Sequence, residues 1–149
     1  MAALTLCHTL QEVLLNLTSV SYVRQGLRPC INCNTYVGPK MYSALTDRKG
    51  IGSTRLHLDV APAFNVLAYA NSQGCANWKI FARKDADLLA AWMRKRYKIK
   101  GHPVHQQQFY LTDDDLVDLR KETQIHPYNI DQQQNHIVLI PPGCPHQVQ

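Results

Sequence analysis

No stretch of this chain approaches the roughly 20 uninterrupted apolar residues that a membrane-spanning helix requires, so a soluble protein is expected. A secretory leader is lacking as well, because His8, Gln11, Glu12 and Asn16 interrupt the apolar positions near the start. The five cysteines, Cys7, Cys30, Cys33, Cys75 and Cys144, are odd in number and irregularly spaced. They do not read as a disulfide framework, and a reducing, intracellular compartment is expected. Cys30 and Cys33 have the C-x-x-C spacing of zinc and redox sites, but the second pair of ligands that a structural zinc needs does not follow. Cys7 and His8 are adjacent, a poor geometry for two ligands on one ion, so Cys30 and Cys33 are read as buried or loop thiols. The 149 residues suffice for one domain with a sizeable core and leave no room for further modules. A net charge of +5 is compatible with nucleic acid or acidic surfaces, but so modest a balance does more for solubility than for naming a partner.

What is present is patterned. Leu6, Leu10, Val13, Leu14 and Leu17 recur at helical spacing over Leu4 to Val20, with Thr9 and Glu12 as a potential capping box. Val37 to Leu45 reads as a strand, Asp47 to Gly50 as a turn, Ala63 to Ala70 as a fully buried strand, Asn71 to Gly74 as a turn, and Trp78 to Phe81 as another strand. From Asp85 the period becomes helical, with Leu88, Leu89, Trp92, Met93 and Arg96 on one side. Acids at its start and Arg94, Lys95, Arg96, Lys98 and Lys100 at its end follow the order a helix dipole favours. Gln107 to Leu111 reads as a short strand. Thr112-Asp113-Asp114-Asp115 then opens a second helix to about Thr123, its acids capping amides rather than gathering a divalent ion. His102, His105 and His126 are isolated and read as hydrogen-bonding residues.

The chemistry centres on Thr54-Arg55-Leu56-His57-Leu58-Asp59. In an alternating run His57 and Asp59 leave one face while Leu56 and Leu58 leave the other. A distal histidine, His146, follows the apolar run His136 to Ile140 and a Pro141-Pro142-Gly143 turn. Delivered from a neighbouring strand, it would complete a two-histidine, one-carboxylate facial triad, the arrangement that holds non-haem Fe(II) with positions left open. Strands interrupted by two helical insertions fit a mainly β double-stranded β-helix, a jelly roll of cupin type, better than an alternating β-α sheet.

Gly38-Pro39-Lys40-Met41-Tyr42, Thr54 to Val60, Asn65-Val66, Trp78 with Ala82 and Lys84-Asp85, Pro103-Val104-His105 with Tyr110-Leu111, and Ile140 to Val148 together resemble the JmjC (jumonji C) domain, in the lysine demethylase subgroup related to Hairless. The resemblance implies the jelly-roll fold over residues 37–149, preceded by an N-terminal helix and loop over 1–36. It implies Fe(II) on His57, Asp59 and His146, with 2-oxoglutarate as cosubstrate, and demethylation of N-methyl-lysine on histone tails, histone H3 lysine 9 by subgroup. A nuclear location, histone tail peptides as partners, chromatin-associated proteins as further partners, and no sequence-specific nucleic-acid binding go with it. Thr54 matches a cosubstrate contact of the family. For the cation facing the far carboxylate many members supply a lysine two positions before Trp78, where this chain has Ala76. Lys40 takes that role in this reading, with Asn65 as a further contact and Lys79 as a fallback. The chain also stops three residues after His146, short of a further core strand, which would leave a sheet edge unpaired. The alternatives are a catalytically silent JmjC-like interaction module and a JmjC protein hydroxylase.

Overall fold

The computed structural model describes residues 54–71 and 74–149, together with Tyr42, Ala44, Leu45, Asp47, Gly50 and Gly52. The helix expected over Leu4 to Val20, the Cys30 and Cys33 pair, and Lys40 lie outside the described residues. Of the strand expected at Val37 to Leu45, the described Tyr42, Ala44 and Leu45 belong to no strand and are exposed.

Among the described residues six strands and two helices follow in chain order: β1 (Thr54–His57), β2 (Ala63–Val66), β3 (Ala76–Ile80), α1 (Ala86–Tyr97), α2 (Asp113–Thr123), β4 (Tyr128–Gln132), β5 (Ile137–Ile140) and β6 (His146–Val148). All pairings are antiparallel, in one sheet of order β1-β6-β3-β4 and a second made of β2 and β5. This is the mainly β, cupin-like jelly roll with helical insertions that the sequence predicts.

Two apolar clusters hold it. Trp78, Ile80 and Val148 of the larger sheet meet Val138 and Ile140 of the smaller, with Cys144 between them, and this is the interior of the sandwich. On the other face Leu56 and Phe81 pack with Leu89, Trp92 and Met93 of α1, Leu119 of α2, and Val104, Leu111 and Ile125 from the connections. The larger sheet is thus covered on both sides, which explains why all three residues of β6, including His146 and Gln147, are buried.

The helices follow their end signals. A turn of 3-10 helix, Arg83–Asp85, leads into α1, and Lys98 closes it in the left-handed region. Leu89, Trp92 and Met93 form its buried stripe, while Leu88, expected with them, is half-exposed. Thr112 caps α2 in a full capping box: its hydroxyl accepts from the Asp115 amide at 3.2 Å, and its amide donates to Asp115 Oδ2 at 3.0 Å. Burial pushes the Asp115 carboxyl up, but bonds from Thr112, Tyr97 and Arg96 outweigh it and hold the group below the usual carboxylate range.

Two expectations are corrected, and one strand was missed. Gln107 to Leu111 is not a strand; Phe109 makes one backbone bond to Leu56, and Leu111 is held by the Gln147 side chain instead of a ladder. Only Ala63–Val66 of the run to Ala70 pairs, and it is not fully buried, because the smaller sheet turns Phe64 outward. Strand β4 was not legible: with Asn129, Asp131 and Gln132 its composition is too polar for a strand signal.

Candidate metal centre

Strand β6 lies between β1 and β3, and in that register His146 stands directly opposite both His57 and Ile80. Cross-strand partners share a face, so both imidazoles point into the sandwich, with ring centroids 4.2 Å apart. Asp59 follows two residues beyond His57, just past the end of β1. One donor atom from each of His57, Asp59 and His146 lies within 4.8 Å of the others, the one such group of three among the described residues.

The backbone sets the donors. His57 Nδ1 lies 2.8 Å from the Arg55 carbonyl and His146 Nδ1 3.0 Å from the Cys144 carbonyl, each two residues back along its own chain. A carbonyl only accepts, so each ring carries its proton on Nδ1 and leaves the Nε2 lone pair free, the tautomer a metal ligand needs. The Gly143 amide donates to the Asp59 carbonyl at 2.7 Å, tying the turn before His146 to the chain that carries the carboxylate. Gly143 has φ +73°, and a Cβ there would meet the Arg83 side chain at 3.3 Å.

Burial, with His57 alongside, lowers the His146 pKa below 6.5 and outweighs the Cys144 carbonyl and the Asp59 charge. The ring is therefore neutral near pH 7 and available as a ligand. His146 Nε2 and Asp59 Oδ2 stand 3.9 Å apart, whereas donors around one ion at bonds of about 2.1 Å lie roughly 3 Å from each other in a facial set. Asp59, with its side chain 44% exposed, is the less enclosed of that pair. Two imidazoles and a carboxylate suit a divalent transition metal, so the donor set fits Fe(II).

Thr54 is three residues before His57, a spacing that in a regular strand would send the two to opposite faces. The register shifts between them, with Thr54 opposite Val148 and His57 opposite His146. The extra β1 residue turns Thr54 to the inner face that His57 occupies, a use of a bulge common beside active sites. Asn65 pairs with Val138, whose side chain belongs to the interior cluster, so Asn65 also faces inward. Lys79 does not. It sits opposite Gln147, on the face turned to the helices, and its ammonium meets Asp113 of α2 at 3.4 Å. The fallback role is ruled out by strand alternation, since Trp78 and Ile80 are the inward residues there.

A model of the JmjC domain, described as a hydroxylase, matches residues 52–149. The chain belongs to the JmjC family. Over 157 aligned residues this JmjC chain is 31% identical to lysine-specific demethylase 3A-A of Xenopus laevis, an alignment covering 75% of the chain and 12% of the relative. It is 32% identical over 159 residues to lysine-specific demethylase 3 of Drosophila melanogaster, with 76% and 18% covered. Against lysine-specific demethylase JMJ29 of Arabidopsis thaliana it is 37% identical over 86 residues, covering 50% of the chain and 10% of that protein. The chain therefore spans under a fifth of the length of these relatives.

Two buried glutamines of the JmjC domain gave no sequence signal. Gln147 donates to the Leu111 carbonyl at 2.8 Å and accepts from the Leu111 amide at 2.9 Å, behaving as a strand neighbour from its side chain. Gln132 accepts from the Trp78 indole at 2.8 Å and donates to the carbonyls of Asn65 and His136, both at 3.0 Å. Each reads in the sequence as an ordinary polar residue, because its partners, apart from His136 four residues after Gln132, come from remote segments.

Proposed function

We propose that this JmjC domain is an Fe(II)- and 2-oxoglutarate-dependent dioxygenase acting on N-methyl-lysine of histone tails, with histone H3 lysine 9 as the target. The observation that carries the reading is the convergence of His57, Asp59 and His146 with both Nε2 atoms left free by backbone carbonyls. These three residues would hold Fe(II). With 2-oxoglutarate and dioxygen as co-reactants the metal would supply oxidation of the N-methyl carbon to a hydroxymethyl group, lost from the lysine as formaldehyde, while 2-oxoglutarate leaves as succinate and carbon dioxide.

The chain's own residues arrange the reactants. The Thr54 hydroxyl and the Asn65 amide, both on the inner face, take the far carboxylate of 2-oxoglutarate, and Lys40 neutralises it, since an unpaired charge there would be costly. The interior cluster of Trp78, Ile80, Val138 and Ile140 keeps one side of the centre dry. The histone tail approaches from the exposed Asp59 side, and the protein works in the nucleus among chromatin partners.

The test is turnover of 2-oxoglutarate by purified protein with Fe(II) and a methylated histone H3 peptide. Succinate and formaldehyde in equal amounts are expected. Succinate without formaldehyde would identify a protein hydroxylase, and bound metal without succinate would identify a silent interaction module.

A further inference from the structure

His146 is the most buried of the three donors, at 3% exposure, and the plane of its ring is set by two side-chain torsions. Besides the neighbouring ligand ring of His57, 4.2 Å away, two contacts restrain them. One is the Nδ1 bond to Cys144. The other is the indole of Trp78, which stacks on the imidazole with centroids 5.9 Å apart and planes 29° apart. Trp78 is held in turn by Gln132, 1% exposed, whose carbonyl oxygen takes the indole N–H. Gln132 cannot flip its amide, since its nitrogen is already committed to two carbonyls, Asn65 on β2 and His136 before β5. A flip would set oxygen against two oxygens and nitrogen against an N–H.

We propose that Trp78 and Gln132 are positioning residues for metal binding, fixing the plane of His146 and linking it to the smaller sheet. The inference rests on the metal-site reading above. An electron-rich ring stacked on the imidazole also favours the state in which that imidazole has given charge to a cation, by the same attraction that draws cations to indole. Trp78 therefore aids the loaded state beyond holding the ring. Partners of this kind, one step behind the ligands, typically govern affinity by about 10–100-fold.

The experiment uses Co(II), whose visible absorption reports its ligand set without oxygen chemistry. Titrations of wild type, Trp78→Leu, Trp78→Phe and Gln132→Leu are compared, with circular dichroism checking the fold of each before metal is added. Trp78→Leu and Gln132→Leu are expected to bind about tenfold or more weakly, and Trp78→Phe, which keeps a stacking face but loses the N–H that Gln132 holds, to bind more tightly than Trp78→Leu and more weakly than wild type. Equal affinity of folded Trp78→Leu and wild type overturns the proposal and leaves the metal site standing. No Co(II) binding by wild type overturns the metal site itself.

Should the Trp78 and Gln132 variants fail to fold, Trp92→Phe, which leaves Trp78 as the one tryptophan, still tests the contact with the metal centre that the proposal requires. Its fluorescence is expected to fall in step with Co(II) uptake. Uptake with unchanged emission overturns the proposal.

Discussion

Replacing Gln147 with leucine tests the claim that a side chain substitutes for a missing strand. Gln147 is fully buried, and its amide gives Leu111 both of its backbone partners, at 2.8 Å and 2.9 Å. Leucine keeps the volume and removes both bonds, stranding a buried N–H and a buried C=O at about 1–3 kcal/mol each. The gain from a more apolar side chain returns roughly 1–2 kcal/mol, so a net loss of about 3 kcal/mol is expected. In a domain of this size that corresponds to a fall in Tm of roughly 6–12 °C. Urea unfolding followed by circular dichroism measures it. Gln147→Glu adds a signature that packing alone cannot imitate: its carboxylate faces the Leu111 carbonyl until it takes up a proton and can donate. The folded state thus raises that carboxyl's pKa, so the variant should regain stability as the pH falls through the raised value. Leucine at 147 within about 0.5 kcal/mol of wild type, or a glutamate variant that gains nothing on acidification, would refute the argument.

His57→Ala should abolish the rise in Tm that Co(II) gives the wild type, because metal binding to the folded state stabilises it by mass action; wild-type affinity in that variant would sink the ligand assignment. Lys79→Met should leave 2-oxoglutarate binding within twofold of wild type, since Lys79 faces the helices, and the loss of its ion pair with a 91% exposed Asp113 should barely move stability. Tighter dependence, read by calorimetry, would return Lys79 to the cosubstrate site. The lowered pKa of His146 gives a pH dependence to the metal-free protein. The unfolded chain takes up the proton at about 6.5 and the folded chain only at lower pH, so this group's contribution is complete above 6.5 and is lost as the pH falls below it. Urea titrations of wild type and His146→Phe should diverge in slope over that range, and parallel profiles would refute the shift.

The sequence reading reached furthest where the spacing is local. His57 and Asp59 are two apart at the end of a strand, and alternation alone predicts a shared face. The capping box at Thr112 and Asp115 is equally local, since its donors and acceptors lie within one turn. Thr54 shows the limit. Its spacing argued for the wrong face, and only the irregular pairing of β1 with β6 turns it inward. A bulge depends on what the partner strand does, and no residue in Thr54 to His57 announces it. Lys79 failed for a related reason: its own strand was legible, but which face looked inward depended on where the helices packed.

The sequence by itself determined both helices, most of the strands and the two-residue pairing of imidazole and carboxylate, because these rest on spacing along one stretch of chain, and it pointed to the family through a resemblance spread from Gly38 to Val148. Only the tertiary structure decided that His146 would meet His57 across a shared register, that Trp78 would lie against it, and that Gln132 and Gln147 would be satisfied in the interior. Apart from the bond between Gln132 and His136, those contacts join residues 36 to 89 positions apart in the chain, and hydrogen bonds and stacking act over a few ångströms regardless of sequence separation. Strand order brings such residues to that distance, and strand order is set by burying two apolar faces at once, a property of the whole sandwich and of no single segment.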